Sequence, residues 1–192
     1  MGIRRCAATA GAMTALFVTG WAVPAQATLY EHERFTDSES VEEDLCGIAV
    51  RRDSTVKANL RIRTGKGALD QAFFGSATLR FTDTFTNLET TASFSITGIG
   101  VFGKDIKATP LGDDIFAFKV QDSGTVVVRD GDGRVVLRDA GSWWTTIVFD
   151  TLGDSAPGGE IISETLGRVN GPHPGLEMDD DEFCAMVEDL IG

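Results

Sequence analysis

Histidine is nearly absent. The 192-residue chain has two, His32 and His173, with one tyrosine, five prolines and three cysteines. Two histidines leave no room for a histidine-rich metal centre. Any Ser–His or Cys–His couple would have to use one of them. Positive charge is scarce too. Seventeen Lys and Arg stand against 29 Asp and Glu, a formal net charge of −12, which excludes nucleic acid as the default partner. Beyond the first two dozen residues no apolar run is long enough to span a bilayer. What remains is ordinary for one folded domain, 42% hydrophobic and 24% charged.

Residues 1–27 read as a secretory signal. Arg4 and Arg5 begin it, an uncharged run from Cys6 to Val23 follows, and Pro24 breaks the run before Ala25-Gln26-Ala27. Cleavage is expected after Ala27, releasing a secreted, extracellular chain with no membrane span. Cys6 leaves with the signal. Cys46 and Cys184 remain, and an exported chain with two cysteines is expected to pair them. Closing so long a loop is worth about 5 kcal/mol as an upper figure.

Residues 28–45 are a polar lead-in, with Tyr30 and Phe35 able to make a first strand. From 46 to 170 the period is two. Val56, Ala58, Leu60 and Ile62 alternate with polar neighbours, as do Leu79, Phe81 and Phe85. Phe94 and Ile96, then Phe116, Phe118 and Val120, then Trp143, Thr145, Ile147 and Phe149 continue the pattern. A phase slip at Gly98 and Gly100 predicts a bulge. Turns are read at Thr64–Gly67, Asp83–Asn87, Asp122-Ser123-Gly124, Asp130-Gly131-Asp132-Gly133 and Ala140-Gly141. A last strand is expected over about 161–169. Residues 171–192 hold a turn and then a helix, with Phe183, Met186, Val187 and Leu190 on one face and Asp179 to Glu182 in its first turn. The fold expected is all-β, an antiparallel barrel of about eight strands, lipocalin-like in architecture, with a short C-terminal helix. A β-sandwich is the alternative.

No catalytic constellation stands out. Gly153-Asp154-Ser155 resembles serine-hydrolase triplets, but Ala156-Pro157 follows and no Asp-x-x-His partner exists, so a strand-connecting loop is the better reading. Asp130-Gly131-Asp132-Gly133 lacks the later ligands of a calcium loop and reads as a hairpin turn. No metal or cofactor is implied. Asp83 is the one carboxylate in an inward phase. It suits a hydrolase or cyclase if its pKa is raised, or a structural role if Lys57, Arg61 or Arg63 pairs with it. Phenylalanine is abundant, with 12 in the chain. Phe81, Phe85, Phe94, Phe116, Phe118, Trp143 and Phe149 are the candidates to line a barrel holding a small apolar ligand. Trp143-Trp144 is the place to look for an exposed interaction patch.

The hairpin from Val128 to Asp139, the run Phe149-Asp150-Thr151-Leu152-Gly153-Asp154, the turn Asn170-Gly171-Pro172-His173-Pro174-Gly175 and the terminal Phe183 to Leu190 together carry a resemblance. The chain resembles a group of uncharacterised secreted actinobacterial proteins of all-β type with one disulfide. The resemblance implies export, an all-β domain and the disulfide, and no activity. The reading is a secreted, non-enzymatic protein binding a small apolar ligand, with an extracellular interaction module of filled core as the alternative.

Overall fold

The computed structural model describes residues 29–66, 69–154 and 156–192. The expected signal segment and its cleavage site lie outside these, as does Ser155. Seven antiparallel strands form one sheet in sequence order: β1 (Leu29–Leu45), β2 (Ile48–Thr64), β3 (Phe73–Asn87), β4 (Ser93–Gly112), β5 (Ile115–Arg129), β6 (Val135–Asp150) and β7 (Glu160–Asn170). Two helices follow, a single turn α1 (Pro174–Glu177) and α2 (Asp180–Ile191).

The all-β expectation and the C-terminal helix hold. The strand count is corrected from about eight to seven among the described residues, and β1 and β7 stand at opposite ends of the strand order. The strands are long, up to 20 residues in β4, because several expected turns are strand interior. Asp122-Ser123-Gly124 lies inside β5 and Ala140-Gly141 inside β6, while Asp83–Asn87 is the last stretch of β3 and the turn follows it. The polar lead-in is a complete strand paired with β2 from Leu29↔Arg63 to Leu45↔Ile48.

Real turns are tighter. Cys46-Gly47 joins β1 to β2 with φ of 57° and 83°, and Asp113-Asp114 joins β4 to β5 with φ of 48° and 63°. Both residues of each pair sit in the left-handed region that two-residue hairpins require. Asp130 builds the β5–β6 turn as expected. Its carboxylate accepts from the Asp132 and Arg134 amides at 3.0 and 2.8 Å.

The glycines explain the long strands. Register sets Gly100 of β4 opposite Gly124 of β5, and Gly124 opposite Gly141 of β6. No side chain separates the backbones along this row. A β-carbon on Gly100 would lie 2.7 Å from the Gly124 Cα, and one on Gly124 2.7 Å from the Ile99 carbonyl oxygen. Just past the row, β4 bulges against β5 between Val101 and Lys104 and again between Asp105 and Lys107. The expected bulge at Gly98–Gly100 is therefore displaced a few residues onward. The pairing of β3 with β4 stops at Ala77↔Phe102, while β4 and β5 stay paired as far as Gly112↔Ile115. Phe74, at the start of β3, nevertheless meets Phe118 of β5 with ring centroids 5.9 Å apart. Bulges bend strands, and here the far half of β4–β5 swings against the start of β3.

Two cores result. The first gathers Val50, Phe85, Phe94, Ile96 and Val128 under Phe183, Val187 and Ile191 of α2. Asp179 caps α2 with a reciprocal capping box to Glu182, so the acidic run serves the helix start. Asn87 donates to the Ile191 carbonyl at 2.7 Å, and the Cys46–Cys184 disulfide fixes the helix to the β1–β2 turn. The second core holds Ala72, Ala108, Phe116, Phe118 and Val120 with Phe74, Ile147 and Phe149 packed against it.

Gly124→Val tests the row. The added side chain must push β4 and β5 apart, so a loss of about 2–3 kcal/mol is expected in denaturant unfolding. An unchanged midpoint would mean that the two strands have room to spare.

Candidate functional site

Carboxylates are drawn in from solvent at three places, and each is built by a different feature of the sheet. In the first, β2 and β3 align Ser54 with Asp83. The Ser54 hydroxyl donates to the Asp83 carboxylate, and both residues are buried. Burial pushes the Asp83 pKa up. The Ser54 hydrogen bond and the Arg52 guanidinium pull it down, and Glu39 pushes it up again. The cation beside Asp83 is therefore Arg52, not Lys57, Arg61 or Arg63. Arg52 itself bonds to Glu39 at 2.9 Å. Its Nε lies 3.2 Å from Glu43, unaligned for a hydrogen bond. The group is a polar seam beside the first core, with the Ser54 hydroxyl already committed to Asp83.

The second place is the bulged stretch of β4. A bulge frees main-chain N–H groups from the ladder, and a buried free N–H must find an acceptor. Asp105 accepts from the Gly75 amide at 2.5 Å, and Asp122 from the Gly103 amide at 2.7 Å. Burial pushes Asp105 up to about 6; the Gly75 bond and Arg63 restrain the rise, and Asp122 adds to it. Asp122 is also raised by burial and by Glu164, against its bond from Gly103. Sequence reading missed both, since Asp122 looks like a turn residue and Asp105 sits where the alternation breaks.

The third place joins β6 to the turn before α1. His173 and Asp139 are buried, with Nδ1 and Oδ1 2.7 Å apart. The Gly175 amide donates to the other carboxylate oxygen at 3.0 Å. The His173 Nε2 lies 3.0 Å from the Asn170 carbonyl oxygen. A carbonyl only accepts, so Nε2 carries a proton and donates it. Both ring nitrogens are therefore engaged, and Trp143 closes on the ring edge-to-face at 5.3 Å. A histidine held this way is a staple, not a general base waiting for a substrate. His32 lies elsewhere, on exposed β1, with Asn59 at 2.8 Å.

The aromatic candidates do not gather at one place. Phe81, Phe85 and Phe94 belong with the first core, where Phe85 stacks on Phe94 at 4.9 Å. Phe116, Phe118 and Phe149 belong with the second, Phe118 meeting Phe149 at 6.1 Å. Trp143 lies on His173. Trp144, on the opposite face, is covered by the Arg168 guanidinium at 5.5 Å. The two tryptophans are thus half-buried rather than a patch. The exposed apolar surface is next to them, on β7, where Ile161, Ile162, Leu166 and Val169 are 61, 55, 42 and 41% exposed. Among the described residues no group of three or more His, Cys, Asp and Glu is placed to hold a metal ion, and no helix is long and apolar enough to cross a membrane. Compared with protein families, curated proteins and solved structures, the chain has no match in any of the three.

The Asp105 pKa has a consequence for stability. A carboxyl raised from 3.8 to about 6 on folding holds its proton in the native state after the unfolded chain has lost it. Native stability is then lost as pH rises across that window and levels off above it. Asp105→Asn keeps an acceptor for the Gly75 amide and removes the charge. It is expected to gain about 1–2 kcal/mol at pH 7.5, after allowance for partial solvent access, and to flatten the slope between pH 4 and 6. Urea unfolding across that range measures both; a less stable variant at pH 7.5 would show that the charge itself is needed.

Proposed function

We propose that the mature chain is an extracellular, non-enzymatic binding module that takes its partner along the outer edge of β7. The contrast between the two edge strands carries this reading. β1 is guarded by charge, with carboxylates from Glu31 to Asp44 along its length. Charge on an edge is how sheets avoid pairing with other chains. β7 has the opposite character, with three charged residues in 11 and four exposed aliphatic ones. A strand of that kind offers unpaired main-chain groups for β-augmentation, and flanking side chains for selectivity. The buried polar groups are committed to the protein's own amides, hydroxyls and turns, which fits a scaffold better than a reaction centre. An extracellular setting accords with the disulfide and with the expected N-terminal signal.

Replacing Ile161 and Leu166 by Lys tests the edge. Both side chains are exposed, so the melting temperature should stay within a degree or two. Retention of cell-envelope or culture-medium components on immobilised protein should fall at least tenfold. Equal retention by wild type and variant would remove β7 as the binding edge.

A second reading has one observation in its favour. The glycine row and the bulges beside it are the devices that curl a sheet toward closure. A sheet curled far enough to bring β1 to β7 would be a barrel, and half-buried Leu60, Leu79 and Phe81 would face a small apolar ligand. Under the edge reading, a native mass spectrum of protein from its source medium shows the disulfide-linked chain without a small-molecule adduct. An adduct lost on denaturation would favour the carrier.

A further inference from the structure

We infer that the partner of the β7 edge is a second copy of this chain, the two β7 strands pairing antiparallel about a two-fold axis through Thr165. The inference rests on the edge-binding reading and names its partner.

β7 carries two extra residues relative to β6. The register shifts once between Val148 and Phe149, beside Ile162, and once between Trp143 and Thr145, opposite Gly167 and Arg168. Thr165 lies between the two bulges, three residues after Ile162 and two or three before Gly167 and Arg168. Each bulge puts two successive side chains on one face and resets the alternation. Pairing with β6 therefore places Ile161, Glu164, Leu166 and Val169 on the face of Phe149, Ile147, Thr145 and Trp143. Glu160, Ser163, Thr165 and Asn170 take the other face.

This pattern is the same read from either end about Thr165. Turned end for end, β7 meets a second β7 face for face. Ile161 comes opposite Val169 of the second copy, Ser163 opposite Gly167, Glu160 opposite Asn170, and Thr165 opposite itself. Bulge meets bulge, so neither strand has a surplus residue. An unbulged strand would pair with itself equally well in several registers. The two bulges leave one register with matched faces. It covers exposed Ile161 and Val169 at both ends of the interface, and each such cross-strand apolar pair is stabilising.

Other arrangements of two copies fit less well. Pairing β7 with β1 of another copy sets Ile161 and Val169, which the β7–β7 register places opposite each other, against a carboxylate-rich strand. It also leaves a free edge at every step, which leads to open-ended growth. The β7–β7 pairing is closed by its symmetry. One strand pair buries less than the roughly 1,600 Å² of a standard interface, so the dimer should be concentration-dependent.

Two single cysteine variants of the secreted protein test this, oxidised at high concentration and run on non-reducing gels. Opposed positions bring Cβ atoms about 4.5–5.5 Å apart, within small adjustment of a disulfide. Thr165→Cys is expected to convert most of the protein to a linked dimer. Ser163→Cys sits four residues from its own copy in this register, about 13 Å away, and should stay largely monomeric. Wild type should sediment as a monomer–dimer mixture that shifts with concentration, and Ile161→Lys with Val169→Lys, which sets like charges directly opposite each other at both ends, should abolish the dimer. Equal cross-linking at both positions, or none, would overturn the register. A wild type that is monomeric throughout would overturn the self-pairing. If it then still retained an envelope component lost from the lysine variant, the edge reading would stand without the dimer. If wild type and variant behaved alike, both would fall.

Discussion

Two backbones come together with no side chain between them at Gly100 and Gly124, Gly141 continues the row in register on β6, and the rest of the sheet is arranged around that contact. Strands of 15 to 20 residues cannot lie flat against one small core. The glycine row lets β4 and β5 approach closely, and the bulges beside it bring the far half of β4–β5 against the start of β3. Apolar side chains on either side of the row then pack separately, one group beneath α2 and the other around Phe116 and Phe118. Asp105 and Asp122 answer to the same constraint. They are half-buried where the bent ladder leaves amides at Gly75 and Gly103 that need acceptors. Their raised pKa values follow from packing the bend and do not require a reaction to explain them.

The period-two alternation was legible wherever a strand has one wet and one dry face, as in Val56 to Ile62 or Phe116 to Val120. The terminal helix, the acidic run in its first turn and the cysteine pair were equally plain, because each depends on local spacing or simple counting. Glycine and aspartate misled. In Asp122-Ser123-Gly124 the aspartate serves the bulge on the neighbouring strand, 19 residues away, and the glycine serves a close approach. Both are long-range demands that look like a turn at short range. β1 was under-read for the opposite reason. Its side chains are polar on both faces, so it has little alternation to detect, and pairing with β2 decides its structure. His173 stood out as part of a rigid turn. Only the fold brings Asp139 to it.

The candidate site was legible only in part. Counting Phe and Trp found the residues that pack, and assigning them to one cavity assumed that one interior exists. The bend divides that interior. The surface that binds under the present proposal is marked instead by what β7 lacks, the charge that β1 has in abundance. Edge character belongs to strand order, and strand order is invisible until the pairing is known.

The meander has a further consequence for how the molecule comes into being. Every strand pairs with its neighbours in sequence, so each hairpin can close as soon as its own residues are available. The helix is the exception. Cys184 must find Cys46 across 138 positions, and Ile191 must reach Asn87, so nothing caps the first core until the last residues arrive. A chain emerging N-terminus first would hold a formed but uncovered sheet, with Val50, Phe85 and Phe94 open to solvent. Docking of the helix then acts as a completion mark. A chain cut short at its end keeps its strands yet shows the apolar face that chaperones and proteases recognise, and the disulfide makes the completed state hard to undo.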